Sequence, residues 1–165
     1  MTDAPLWACP VCGQTFVSRN MPHSCQVVAL DEFFAGSELR GLFDLYVAAA
    51  RENGPVTVNA TKSRIALQAR MRFAGIFKPR KRYLLANFLD THPVESPRLE
   101  RVEFIPPYYY VHRLRLAEPG DVDAELHGWL AEAYQIGMQR HVDDPDWPRQ
   151  REPPDWVSRP AGAGA

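Results

Sequence analysis

From residue 37 to residue 52 apolar side chains return at steps of three and four. Leu39, Leu42, Phe43, Tyr46, Ala49 and Ala50 form one stripe of a 3.6-residue helix. Asn53-Gly54-Pro55 closes it, glycine offering a left-handed cap and proline barring continuation. A shorter helical turn over 31–36, with Asp31 as N-cap, precedes it. After Pro55 the period falls to two. Residues 56–58 read as a short strand. Over 63–69, Ile65, Leu67 and Ala69 take one face while Arg64, Ala66, Gln68 and Arg70 take the other. Strands over 73–77 and 83–88 flank a hairpin turn at Pro79-Arg80-Lys81, and a loop holding Pro93 and Pro97 covers 92–97. A strand over 101–105 stops at Pro106-Pro107, because proline cannot donate to a ladder, and a last strand over 109–116 is expected at or near an edge.

Glu118-Pro119-Gly120 then turns the chain, and Asp121 is placed to cap a final helix. Val122, Leu126, Trp129, Leu130, Ala133 and Gly137 form its apolar face. Helix, antiparallel strands and helix in that order predict an α+β domain over 31–141. It is a meander sheet of about five to six strands with helices packed on one face. Residues 142–165 are Pro-rich and polar, with little to bury beyond Trp147 and Trp156, and read as a mostly disordered tail that could reach a protein partner.

The remaining stretch, 5–28, breaks both periods and holds all 3 cysteines. Cys9-Pro10-Val11-Cys12-Gly13 and His23-Ser24-Cys25 bring four soft ligands, which suits one tetrahedral zinc ion bound by Cys9, Cys12, His23 and Cys25. Gly13 supplies the positive φ that such a turn favours, and Trp7 and Phe16 can shield the metal. With four protein ligands the zinc is expected to be structural. A thiol–disulfide pair is the rival reading, but no βαβ pattern surrounds Cys-x-x-Cys, and the His-x-Cys pair would go unexplained.

Composition narrows the classes further. The 165 residues are 45% hydrophobic, enough for a core, and no apolar run is long enough to span a membrane. Free-thiol chemistry without a secretory signal points to the cytoplasm. The net charge of −1 conceals a strong polarity. From Asn53 to Phe88 there are eight basic residues and no acidic one; from Glu118 to Asp144 there are seven acidic and one basic.

The stretches Gly54-Pro55-Val56, Thr61-Lys62-Ser63-Arg64-Ile65-Ala66 and Gln68-Ala69-Arg70-Met71 resemble bacterial domain-of-unknown-function family 5655. So do Arg101-Val102-Glu103, Tyr109-Tyr110-Val111-His112 and Trp129-Leu130-Ala131-Glu132-Ala133-Tyr134. The metal segment is similar to a short N-terminal module in such proteins. The resemblance covers about residues 7–141. It implies a small α+β domain, in some proteins joined to nuclease-like domains, and it implies no reaction.

No catalytic motif is found, no second set of metal ligands is legible, and no acidic pair stands near a lysine in a nuclease-like spacing. The chain therefore reads as a zinc-containing module that binds rather than catalyses. The basic stretch from Lys62 to Arg82 should take nucleic acid or another phosphate-bearing ligand, with Lys62, Arg64, Gln68, Arg70, Tyr109 and Arg113 as contacts. The alternative is a small enzyme or anion-binding protein with a pocket near Lys62, Arg64, Gln68 and His112. His112 is expected in the core rather than as a base paired with Glu103. His92, His127 and His141 read as loop and helix-surface residues.

Overall fold

The computed structural model describes residues 3–159. Two short strands, β1 (Trp7–Ala8) and β2 (Thr15–Phe16), form a hairpin at the N-terminus. Helices α1 (Leu30–Phe33) and α2 (Arg40–Arg51) follow, and then six strands: β3 (Thr57–Ala60), β4 (Arg64–Gln68), β5 (Arg72–Phe77), β6 (Leu84–Asp90), β7 (Leu99–Ile105) and β8 (Tyr109–Leu116). Helices α3 (Ala124–Gly137) and α4 (Arg140–Asp143) complete the elements. The strands form one antiparallel sheet, in the order β3-β4-β5-β6-β8-β7. The fold is α+β, as expected.

The core lies between one face of this sheet and the helices. Ile65, Leu67, Ile76, Leu84, Ala86, Phe88 and Leu114 point into it, each at most 1% exposed. From α2 come Leu42, Phe43, Tyr46, Val47, Ala49 and Ala50, and from α3 Leu126, Leu130, Ala133 and Tyr134. Gly54 is required for a reason other than the left-handed cap. With φ +145, a Cβ there would stand 2.3 Å from the Tyr134 hydroxyl, which donates to the Pro55 carbonyl. Asp31 lies inside the first turn of α1, whose N-cap is Ala29. The cap of α3 is Asp123, which accepts from the Leu126 N–H; Asp121 instead closes the preceding 3₁₀ turn.

Two expectations about the C-terminal half are corrected. The sheet is not a pure meander, because β8 inserts between β6 and β7, which leaves it near the edge as expected but not at it. The burial pattern explains the choice. Tyr110, His112, Leu114 and Leu116 of β8 are all 0% exposed, so this strand needs neighbours on both sides and cover above. Strand β7 carries Glu100, Arg101 and Glu103 and suits the edge. The second correction is the tail, which is packed as far as it is described. The Ser158 N–H donates to the Val102 carbonyl and the Phe104 N–H to the Ser158 carbonyl, both at 2.8 Å, closing the β7 edge. Val157 is buried against Val102, Phe104 and Tyr110. The Tyr110 hydroxyl donates to the Gln150 carbonyl, and Thr91 Oγ1 donates to that of Pro148. Trp147 Nε1 donates in turn to Thr91 Oγ1. Prolines lower the entropy lost on ordering this segment, and it supplies acceptors to hydroxyls that the sheet alone leaves unpaired. Residues 160–165 lie outside the described part.

Ending the chain after Asp146 should therefore lower stability by about 2–3 kcal/mol, from lost apolar burial and edge hydrogen bonds. Thermal denaturation should show a midpoint roughly 5–10 °C lower. An unchanged midpoint would mean the segment is not docked.

Candidate metal centre

The β1–β2 hairpin presents the first two cysteines. Between its strands the Cys9 N–H donates to the Gln14 carbonyl at 2.8 Å and the Gly13 N–H to the Cys9 carbonyl at 2.9 Å. Gly13 completes the turn at φ +77. The following loop returns His23 and Cys25 to the same place. One donor atom from each of Cys9, Cys12, His23 and Cys25 lies within 4.8 Å of the other three. The Cys9 and Cys25 sulfurs are 3.8 Å apart, and His23 Nε2 is 3.4 Å from both Cys12 and Cys25 Sγ. All three cysteines are free thiols, so the sequence-predicted ligands form a site able to hold a metal ion and not a disulfide.

Neighbouring groups orient these donors. His23 Nδ1 donates to the Met21 carbonyl at 2.6 Å, which leaves the Nε2 lone pair facing the sulfurs. That carbonyl, together with the Cys12 sulfur, favours the charged imidazole over its ordinary range. Burial opposes ionisation of Cys12, but the Gln14 backbone and side-chain N–H groups and His23 outweigh it, bringing the thiol down to about 6. Burial and the other two sulfurs push Cys25 up to about 11. Three sulfurs this close cannot all carry charge without a cation among them.

The sheet holds the loop through several side chains, with Gln68 and Arg70 of the expected ligand contacts among them. Gln14 Nε2 donates to Cys12 Sγ and to the Ser24 carbonyl, while its Oε1 accepts from Arg72 at 2.7 Å. The Arg72 guanidinium lies 4.4 Å from the Phe16 ring centre, and Phe16 packs on His23 at 4.5 Å. Gln68 is 2% exposed; its amide donates to Thr15 and to the Arg70 carbonyl and accepts from Asn59. Arg70 bonds Gln139 and the Ala4 carbonyl. Gln68 and Arg70 are thus spent on internal bonds. Tyr109 is also engaged internally, its hydroxyl 2.7 Å from Nε2 of the buried His141.

Arg64 and Arg113 remain on the sheet face away from the helices, and Lys62 is exposed in the turn between β3 and β4. The Arg64 and Arg113 guanidiniums lie 5.6 and 5.0 Å from the Phe77 ring centre, and neither has a carboxylate partner among the described residues. A cleft of about 320 Å³ separates the metal loop from β3 and β4, lined by His23, Thr61, Ser63, Arg64 and Arg72 among others. His112 does not join it. It is 0% exposed on the opposite face, stacked on Phe88, and its Nε2 accepts from the Val94 N–H. Burial lowers it to about 4, so it is a neutral core imidazole. Glu103 pairs with Arg101 instead, and the expected pocket uniting Lys62, Arg64, Gln68 and His112 is not assembled.

Sequence reasoning also missed a second cluster. Asp90, His92 and Glu132 bring donor atoms within 4.8 Å of one another. The Asp-x-His spacing at the end of β6 was the available signal, but Glu132 reaches it only through the packing of α3. His127 pairs with Glu52, and His141 is buried rather than on a helix surface. Among the described residues no helix is long and apolar enough to cross a membrane.

No curated protein and no solved structure matches the chain. Residues 30–137, which hold the α1–β8 body and α3 but not the Cys and His ligands, match a family model described as Domain of unknown function (DUF5655), and the chain belongs to that family.

Proposed function

We propose that this protein is a zinc-containing binding module whose open sheet face contacts the phosphates of nucleic acid. Zinc is favoured by the spacing of the donors. In a tetrahedral site with Zn–S of about 2.3 Å and Zn–N of about 2.05 Å, sulfurs stand roughly 3.8 Å apart and sulfur and nitrogen about 3.5 Å. The cysteine and histidine atoms stand 3.8 and 3.4 Å apart. Three thiolates and an imidazole prefer zinc to harder ions and leave no position for water, so the ion's role is to fold the loop.

The observation that carries the binding reading is the Arg64–Phe77–Arg113 group. Two guanidiniums without carboxylate partners among the described residues flank one aromatic ring on a sheet face that no described helix covers. Arg113 Nε is buried without a hydrogen-bond partner, and so is Nε of Arg72 at the adjoining cleft. Guanidiniums suit phosphate oxygens, although the two sealed Nε atoms lie beneath the surface an outside ligand would meet, and the half-exposed Phe77 ring offers a base a surface to stack on. Arg115 adds less, being paired with Glu100. Recognition of this kind reads backbone and shape more than sequence.

Two measurements test the two halves. Zinc released by a thiol-blocking reagent should amount to about one equivalent per chain, and Cys12→Ser should release none while the sheet domain stays folded by circular dichroism. A purified chain without thiol-bound zinc would overturn that half. For the other, fluorescence anisotropy with single-stranded DNA and RNA should give binding that weakens steeply with salt. Arg64→Glu with Arg113→Glu should weaken it at least tenfold and flatten the log–log salt slope by about 1.4, two phosphate contacts at roughly 0.7 each. Absence of binding at low salt, or equal affinity in the double variant, would sink the nucleic-acid reading.

A further inference from the structure

At the end of β6, on the face covered by the helices, Asp90, His92 and Glu132 of α3 converge. His92 Nε2 lies 3.4 Å from Asp90 Oδ1 and 3.1 Å from Glu132 Oε1. Two ligand atoms held about 2.1 Å from one ion stand roughly 3.0 Å apart at a right angle and about 3.4 Å apart at the tetrahedral angle. The three side chains are already spaced as edges of a coordination shell.

Asp90 supplies an independent indication. Its side chain is 1% exposed, yet among the described residues Oδ2 has no hydrogen-bond partner, while Oδ1 accepts from the Thr91 N–H at 2.6 Å. A sealed carboxylate oxygen without a donor is costly to keep. The nearest charges make the deficit worse, since two carboxylates share one imidazole and neither has an arginine or lysine partner among the described residues. Burial, reinforced by Glu132 and opposed by His92, pushes the Asp90 carboxyl up to about 7. Against burial, the two carboxylates raise His92 as well, so the cluster favours added positive charge, from a proton or a metal ion.

We propose that Asp90, His92 and Glu132 bind a divalent first-row metal ion through one imidazole nitrogen and two carboxylate oxygens. Nitrogen and oxygen donors suit manganese, iron(II) or zinc, in contrast to the sulfur-rich N-terminal site. The side chains of His92 and Glu132 are 36% and 40% exposed, so one side of the site is reachable from solvent. Three protein ligands leave the remaining positions to water or to an oxygen of a bound molecule. The His112 imidazole nearby is not a fourth ligand, because its Nε2 already accepts from Val94 at 2.9 Å. This site rests on neither the zinc loop nor the basic sheet face, since it lies on the other side of the sheet.

The experiment is a manganese titration of the full chain with its N-terminal metal in place, followed by the electron paramagnetic resonance signal of free Mn²⁺. One Mn²⁺ per chain should disappear from the free signal and raise the melting temperature. His92→Ala and Glu132→Gln should each weaken binding at least tenfold. Glu125→Gln, on an exposed carboxylate of the same helix, should leave it unchanged. Glu132 is half-exposed, so its variant is expected to stay folded, which circular dichroism checks. Failure of Mn²⁺, Co²⁺ and Zn²⁺ to bind beyond the thiolate site would overturn the proposal, leaving Asp90 as a protonated partner of His92. Binding that survives in both the His92 and Glu132 variants would overturn it too.

Discussion

The N-terminal loop cannot hold itself together. Between Trp7 and Cys25 the only regular structure is a hairpin of two two-residue strands, and few of its side chains are buried. Its shape depends on three sulfurs and an imidazole meeting at one point, and on the sheet that grips it from below. Gln14 is the hinge of that arrangement. One amide touches the Cys12 sulfur, the Ser24 carbonyl and the Arg72 guanidinium, so the ligand set and strand β5 share a single hydrogen-bond network. Networks of this sort fix geometry only when each member is satisfied, and a cation among the donors supplies what the sulfurs lack.

That docking decides which residues remain for outside partners. The basic stretch looks uniform along the chain, but the folded protein sorts it. Gln68, Arg70 and Arg72 bond the loop and the segment after α3, whereas no hydrogen bond among the described residues ties the Lys62, Arg64 or Arg113 side chains to them. Strand periodicity puts Arg64, Gln68 and Arg70 on one side and says nothing of what covers that side. A long-range contact such as Gln68 to Thr15, 53 residues apart, leaves no local mark.

The elements themselves were legible because they obey local rules. The α2 stripe, the alternation of β4, the turn at Pro79 and the ligand spacing of Cys9, Cys12, His23 and Cys25 are short-range properties, and the folded chain keeps all of them. Where global burial decided, local reading fell short. Proline after β7 marked a strand end, but the insertion of β8 followed from four fully buried side chains on one face. Low hydrophobicity suggested a disordered tail, yet Val157 needs little partner surface, and carbonyls of Pro148 and Gln150 are wanted by buried hydroxyls. Composition measures what a segment can bury, not what it can satisfy.

The same distinction separates the two clusters of metal-ligating side chains. The sulfur-rich one is a sequence motif because its ligands come from a span of seventeen residues and the loop between them is otherwise weakly structured. Asp90, His92 and Glu132 come from a strand, a loop and a helix that meet only after the core forms. A cluster that assembles late is held at the spacing the core imposes, whether or not a cation is present. It therefore stores the electrostatic cost of an uncompensated carboxylate in the folded state instead of losing its structure. A cation in the first arrangement would contribute its affinity to folding the loop. In the second, as proposed, that affinity would remain for an outside oxygen ligand, with Asp90 sealed beneath an open lip of His92 and Glu132.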